Sequence, residues 1–211
     1  MTPTRSQTLG APPVHEGHAR TAAGYLEELA QQAARISVHD LADFTGLVVE
    51  TLVAGRTVFV VGNGGSASTA GHIACDWLNA CARAGIRARI TSLADSVSTM
   101  TALANDTAYD EVFARQLDLQ GAPGDLLVLL SVSGDSANLL AAAQRARQRG
   151  MRIAGLLGNE GAVTPYCDSL VVCGGGDYGL AEDLHLVVNH IVVRALGGGA
   201  ALRYPRPEPG R

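Results

Sequence analysis

One pattern occurs twice in this chain and strongly limits how it can fold: a short apolar strand, a loop rich in glycine or serine, then a helical segment. The first copy begins RTVFVVG-NGGS, and the second begins GDLLVLLSVSG-DSAN. Apolar runs of this length, bounded by turn residues, are typical of strands that are buried on both faces. Strands that alternate with helices predict a parallel sheet covered by helices.

The remaining segments continue this alternation. Further strands are predicted at RARITSL, MRIAGLLG and SLVVCG, and further helices at SVSTMTALAND, AYDEVFARQLDL and AEDLHLVVNHIVVRAL. Two helical patterns, HARTAAGYLEELAQQAARIS and HDLADFTGLVVETLVAG, come before the first strand. We therefore predict an α/β fold, a three-layer αβα sandwich with a central parallel sheet and two N-terminal helices. One domain is expected over residues 18–197, between flexible tails at 1–17 and 198–211.

Composition narrows the class of protein. The chain has 211 residues, of which 47% are hydrophobic and 4% aromatic, and its net charge is −4. These values argue against a nucleic-acid partner, because proteins that bind nucleic acids commonly have basic surfaces and aromatic side chains on which bases stack. No apolar run is long enough to span a bilayer, and the start lacks the apolar core of a signal peptide. The chain has four cysteines: Cys75, Cys81, Cys167 and Cys173. They fit no zinc-finger spacing and are interpreted as reduced thiols, which predicts a cytoplasmic protein.

The two loops have the chemistry of phosphate sites. Glycines in GNGGS (62–66) let the backbone approach an anion, and the helix that follows directs free N–H groups at it. In SVSGDSAN (131–138), three hydroxyls surround a similar turn, those of Ser131, Ser133 and Ser136. Either loop alone could simply connect a strand to a helix. Two of them at equivalent positions of one sheet favour a shared ligand site at the carboxyl ends of the strands.

A dinucleotide site is a competing interpretation of the first loop. GNGGSA fits the G-x-G-x-x-A fingerprint, which expects an acidic residue at the end of the second strand to hold a ribose. That strand, RARITSL, has no acidic residue, and Asp95 comes too late in the chain. The fingerprint also gives no role to the serine-rich loop, so we favour a phosphate on a small substrate.

Candidate metal ligands or proton-transfer groups follow the first loop. His72 and Asp76 are four residues apart and share a helix face, although an ordinary hydrogen-bonded pair would have the same spacing. On the last helix, Asp183 is seven residues from His190 and aligns with it, whereas Glu182 is eight residues away and about 80° off. Spacing alone therefore favours Asp183 as the partner of His190.

Four segments together resemble a known family: GNGGSASTAGHIACD, TALANDTAYDEVFARQL, GDLLVLLSVSGDSANLL and EDLHLVVNH. They resemble the sugar isomerase (SIS) fold and, more narrowly, the phosphoheptose isomerases, which interconvert sedoheptulose 7-phosphate and glycero-manno-heptose 7-phosphate. The resemblance implies an aldose–ketose isomerase that works through an enediol. It also implies a phosphorylated sugar as substrate, one zinc ion per subunit, and a homotetramer with active sites at subunit interfaces.

The resemblance also implies roles for individual residues, carried over by position. Asp76 would be the catalytic base and His190 its partner in proton transfer. The implied zinc ligands are His72, Asp76, Glu182 and His190, so the resemblance selects Glu182 over Asp183. The implied phosphate and substrate residues are Asn63, Gly64, Gly65, Ser66, Asn105, Asp106, Ser131, Val132, Ser133 and Ser136.

Two positions depart from the family pattern. Asp76 stands where the family has glutamate, and Glu182 where it has glutamine. Aspartate and glutamate are both ordinary zinc ligands, so the departures do not exclude a metal. They leave two alternatives open: a non-catalytic SIS protein that binds a phosphosugar or a partner such as the replication initiator, or an isomerase of another phosphosugar. The retained carboxylate and the two histidines favour catalysis.

Overall fold

The computed structural model describes residues 14–198. After the two N-terminal helices, at least one helical segment separates each strand from the next. The helices are α1 (Val14–Arg35), α2 (Val38–Val53), α3 (Gly65–Arg83), α4 (Val97–Asp106), α5 (Val112–Gln120), α6 (Ala137–Gln148) and α7 (Tyr178–Leu196). The strands are β1 (Thr57–Val61), β2 (Arg89–Ser92), β3 (Leu126–Ser131), β4 (Arg152–Leu157) and β5 (Ser169–Val172). Short 3₁₀ helices lie at Tyr109–Glu111 and Thr164–Tyr166.

The five strands form one sheet in the order β2-β1-β3-β4-β5, and every neighbouring pair is parallel. The register places Val58 of β1 opposite Leu126 of β3, so the carboxyl ends of these two central strands lie side by side. Parallel neighbours need crossover connections, which the helices supply. The predicted α/β fold with a central parallel sheet is confirmed.

Each face of the sheet is covered by its own apolar core. On one face, Val58 and Val60 pack with residues of α2, α3 and α7, including Phe44, Trp77 and Leu184. On the other face, Phe59 and Val61 pack with residues of α5 and α6. Alternate residues of a strand point to opposite faces, so strands that are buried on both sides are apolar throughout. The exceptions are at the ends: Thr57 begins β1, and Ser131 ends β3. The two cores give the three predicted layers.

Two helix ends lie close to the bounds of the predicted domain. Helix α1 begins at Val14, four residues before the predicted start at His18, and α7 ends before Gly197 as predicted. The rest of the predicted tails, 1–13 and 199–211, lies outside the described residues, and the single domain over 18–197 stays a prediction. Across residues 14–198, no helix combines the length and the apolar character that crossing a membrane requires.

Candidate active site

A cavity of about 280 Å³ lies where the loops after β1 and β3 meet. Because these strands are direct neighbours in a parallel sheet, their carboxyl ends bring the two glycine- and serine-rich loops together. The cavity is lined by Asn63, Gly64, Gly65, Ser66, Leu130, Ser131, Val132, Ser133, Ser136, Leu139, Tyr178 and Glu182. Eight of the ten predicted phosphate and substrate residues are therefore in its wall.

The first loop turns sharply into α3. Gly64 precedes the helix with a φ of 54°, a left-handed conformation that favours glycine. A Cβ on Gly62 would lie 2.7 Å from the backbone of Ser66, so the chain folds back on itself too closely for any side chain there. The tight turn places the first N–H groups of α3 at the cavity, where a helix N-terminus favours an anion.

The second loop offers hydroxyl donors. Ser131 Oγ accepts the N–H of Gly134 at 3.0 Å, and Ser133 Oγ accepts the N–H of Asp135 at 3.2 Å. Each hydroxyl keeps its own proton and can donate it to a ligand oxygen. Ser136 is the N-cap of α6 but makes no capping bond with its side chain, so its hydroxyl is also available at the cavity.

A pair of amides joins the two loops. Asn63 Nδ2 donates to Asn138 Oδ1 at 2.9 Å, and Asn138 Nδ2 donates to Asn63 Oδ1 at 2.8 Å. The Tyr109 hydroxyl donates to the same Oδ1 of Asn63 at 2.9 Å. Sequence reasoning did not assign Asn138 or Tyr109 a role. Asn138 lies within the serine-rich motif, but nothing in the sequence shows which residue its amide would meet.

Three of the four predicted metal ligands come together between α3 and α7. His72 Nε2 lies 3.2 Å and His190 Nε2 lies 3.8 Å from the same oxygen of Asp76, Oδ2. One ligand atom from each of the three residues lies within 4.8 Å of the others. The imidazole rings are nearly perpendicular, and the two histidine side chains are 51% and 60% exposed. Two imidazoles and a carboxylate with one side open suit a catalytic zinc site, which uses three protein ligands and leaves a position for substrate.

Asn189 supports this cluster from the interior. Asn189 is fully buried on α7, and its Nδ2 donates to Asp76 Oδ2 of α3 at 2.8 Å. Sequence reasoning missed Asn189. The available signal was a single polar residue in the apolar run LVVNHIVV, next to His190.

Glu182 and Asp183 point to different places. Glu182 lines the cavity, and its carboxylate lies against Gly65 at the start of α3. Asp183 instead accepts a 2.8 Å hydrogen bond from the hydroxyl of Tyr25 in α1. That bond, with smaller effects of burial and nearby carboxylates, raises the pKa of Tyr25 to about 12. Neither residue belongs to the His72–Asp76–His190 cluster, so one chain does not form the four-residue cage, and Glu182 as a ligand stays a prediction.

The cluster and the cavity lie along the same pair of packed helices. Gly65 precedes His72 by seven residues in α3, and Glu182 precedes His190 by eight in α7. At 1.5 Å per residue, the two places are about 10 to 12 Å apart along the helix axes. The three clustered residues are not part of the cavity wall. This separation suits a substrate with its reacting carbons at one end and a phosphate at the other.

Asn105 and Asp106 are not brought to the cavity within this chain. Both are exposed at the end of α4, where Asn105 Nδ2 donates to Asp106 Oδ1 at 2.9 Å. Their predicted contact with substrate therefore has no support from the geometry of one chain.

Comparison with known proteins agrees with this architecture. The family model described as SIS domain matches residues 20–158. A phosphoheptose isomerase of Chlorobaculum tepidum is 35% identical over 173 residues, which cover 80% of this chain and 83% of the relative. A second, from Rhodospirillum rubrum, is 35% identical over 153 residues, which cover 72% and 81%. The structure of phosphoheptose isomerase GmhA from Neisseria gonorrhoeae superposes with a TM-score of 0.76 at 28% identity, covering 86% of this chain and 98% of that one.

The fold, the two loops at its central strands and the family match define the class: the chain belongs to the SIS domain family. Within that class, the extent and identity of the matches place it in the phosphoheptose isomerase family, which confirms the predicted resemblance.

Proposed function

We propose that this chain is an aldose–ketose isomerase that converts sedoheptulose 7-phosphate to D-glycero-D-manno-heptose 7-phosphate. One observation carries the proposal: His72, Asp76 and His190 converge beside a serine-lined cavity in a chain whose relatives are phosphoheptose isomerases. The reaction moves a proton between C1 and C2. It needs a base, a second proton-transfer group and an anchor for the distal phosphate.

Each group has a role that follows from its position. The Asp76 carboxylate takes the proton from one carbon and returns it to the other through an enediol. His190, whose Nε2 lies 3.8 Å from that carboxylate, exchanges a proton with the substrate oxygens. The hydroxyls of Ser131, Ser133 and Ser136, with the N-termini of α3 and α6, hold the phosphate and so fix the position of the reacting carbons.

The proposed cofactor is one zinc ion per subunit, held by His72, Asp76 and His190. When bound, zinc would polarise the carbonyl and hydroxyl oxygens of the substrate. Glu182, whose carboxylate lies against Gly65 in the cavity wall, would contact the substrate there. The open side of the cluster, together with a cavity wall that lacks Asn105 and Asp106, supports a homotetramer in which a neighbouring chain completes each site. The four cysteines, all free, support a cytoplasmic enzyme.

The test is turnover of sedoheptulose 7-phosphate in deuterated water, followed by NMR as exchange at C1 and C2, with metal analysis of the same sample. The parent chain should interconvert the two sugars, and Asp76→Asn should lower kcat by at least 10²-fold, since a positioned base contributes about 10²–10⁴-fold. Asp43→Asn is a matched control because Asp43 forms another i, i+4 pair, with His39, on the exposed face of α2.

Other outcomes separate the alternatives. Binding of phosphosugars without exchange at C1 and C2 would indicate a non-catalytic binding protein. Exchange with a different phosphosugar, tested in the same panel, would keep the reaction type and change the substrate. An Asp76→Asn variant as active as Asp43→Asn would remove Asp76 from the role of base.

A further inference from the structure

Asn189 is an unusual residue for its position. It is 0% exposed, and Leu184, Val188 and Val192 of the same helix belong to the apolar core. Its Nδ2 donates to Asp76 Oδ2 at 2.8 Å. Its Oδ1 is also buried, and it has no hydrogen-bond partner among the side chains and backbone that the structure describes.

Helix geometry explains how Asn189 reaches Asp76. On α7, Asn189 follows Glu182 by seven residues, and on α3, Asp76 follows Gly65 by eleven. Both spacings are within about 20° of a whole number of turns, so the two residues of each pair face the same side of their helix. The Glu182 carboxylate lies against Gly65, and Asn189 bonds Asp76 further along the same contact between α7 and α3. Asn189 therefore approaches the carboxylate from the interior, whereas the half-exposed His72 and His190 approach it from the surface.

Packing alone does not account for an asparagine here. A buried polar atom without a partner destabilises the folded state, and an apolar side chain of similar volume would avoid that cost. The bond that Asn189 does make goes to the one oxygen that both imidazoles also approach. Carboxylates that bind metals are commonly held by such outer hydrogen bonds, which fix their orientation.

We propose that Asn189 is a positioning residue: by donating to Asp76 Oδ2 it holds this carboxylate where it can bind a divalent cation together with His72 and His190. The inference rests on the metal centre of the proposed function. It assigns to Asn189 no contact with substrate.

The experiment measures Zn²⁺ affinity and stability on the same metal-free chain. Zn²⁺ is titrated by calorimetry, and Co²⁺ is used as a second probe because its visible absorption reports the ligand geometry. Asn189→Leu should weaken Zn²⁺ binding about 10- to 100-fold and change the Co²⁺ spectrum. The same variant should unfold at the same temperature as the parent or higher, because it removes the unpartnered Oδ1.

Thr45→Val is the matched control. It removes another buried polar atom without a partner, Thr45 Oγ1, which lies on α2 and not on either helix of the cluster. It should leave Zn²⁺ affinity unchanged. Asn189→Val provides a second variant if Asn189→Leu does not fold. In an Asp76→Ala background, Asn189→Leu should cost no further affinity, because the effect acts through Asp76.

The outcomes are separable. If the parent binds neither Zn²⁺ nor Co²⁺, the metal centre itself is wrong, and this inference is overturned with it. If the parent binds Zn²⁺ and both Asn189 variants bind it equally well, only the positioning role is overturned. An equal loss of affinity with and without Asp76 would also contradict it, because the effect would not pass through the carboxylate.

Discussion

His185 lies one helical turn before Asn189 in α7. The side chain is 0% exposed, and neither ring nitrogen has a partner of good hydrogen-bond geometry within residues 16–198. Burial lowers the pKa of this imidazole to about 4, partly offset by the backbone of Leu157. The charged form is therefore incompatible with the core, and His185 is neutral in the folded chain at neutral pH.

This perturbation predicts a stability that depends on pH. Because the unfolded chain takes up a proton near pH 6.5 and the folded chain only near pH 4, the free energy of unfolding is highest above pH 6.5 and falls as the pH drops toward 4. The shift sets an upper limit of about 3 kcal/mol for that loss. Urea unfolding between pH 4 and 7.5 should show a shallower fall for His185→Leu than for the parent.

Comparing His185→Leu with the parent separates the contribution of His185 to the pH dependence of stability from that of the carboxylates, which both chains share. His39→Gln is the control, since the His39 side chain is 85% exposed and its removal should leave the pH profile as in the parent. Parallel profiles for the parent and His185→Leu would show that His185 does not carry the effect.

At the scale of helices and strands, two of the three glycines in GNGGS predict opposite effects of an added methyl group on stability. A Cβ at Gly62 would lie 2.7 Å from the Ser66 backbone, which cannot move without breaking the start of α3. Gly62→Ala should therefore destabilise the fold by about 1–3 kcal/mol. The three atoms nearest to a Cβ at Gly65 all belong to the carboxylate of Glu182, the far end of a flexible side chain. Gly65→Ala should leave the unfolding temperature nearly unchanged.

The two variants should differ in function as well. In Gly65→Ala, the new methyl group and the displaced Glu182 carboxylate both reduce the room in the cavity, so KM for the sugar phosphate should rise several-fold. Thermal unfolding and steady-state kinetics on both variants check this. A KM equal to that of the parent, or a loss of stability as large as for Gly62→Ala, would contradict it.

The sequence predicts these elements well because their signals are local. The apolar runs before Gly62 and Gly134 and the glycines after the helices mark strands and helix ends without any tertiary information. The segment AYDEVFARQLDL shows the limit, because it begins as the 3₁₀ turn Tyr109–Glu111 before α5 starts at Val112. Tyr109 in that turn reaches Asn63, a contact between residues 46 positions apart.

The parts of the site that the sequence did not predict all depend on contacts between distant elements. Helical spacing favoured Asp183 over Glu182, but the Asp183 carboxylate accepts a hydrogen bond from Tyr25 of α1, whereas Glu182 lines the cavity. Asn138 of α6 and Asn189 of α7 are buried polar residues. Their partners lie on another element: Asn63 just precedes α3, and Asp76 lies within it. Which polar side chains meet is decided by how helices pack on the sheet, and local patterns do not encode that.

At the scale of the whole molecule, apolar surface remains uncovered in a single chain. Leu26 of α1 is 63% exposed and Tyr178 at the start of α7 is 69% exposed. An open groove of about 490 Å³ lies along α1, lined by His18, Thr21, Ala22, Tyr25 and Leu26, and its surface is mostly apolar. Exposed apolar patches of this kind mark places where proteins associate. The groove lies on the helix whose Tyr25 also bonds Asp183 of α7, so assembly there would act close to the site.

If a second copy covers this groove, a charge within it should weaken assembly. Leu26→Glu should lower the molar mass measured by light scattering below that of the expected tetramer and reduce turnover, because the sites would lose a neighbouring chain. Gln31→Glu is the matched control: it adds the same charge to exposed α1 about 140° around the helix from Leu26. It should keep both the mass and the turnover of the parent.

Equal masses for Leu26→Glu and the parent would mean that the chains associate through another surface. A parent that is monomeric and fully active would show that one chain holds a complete site.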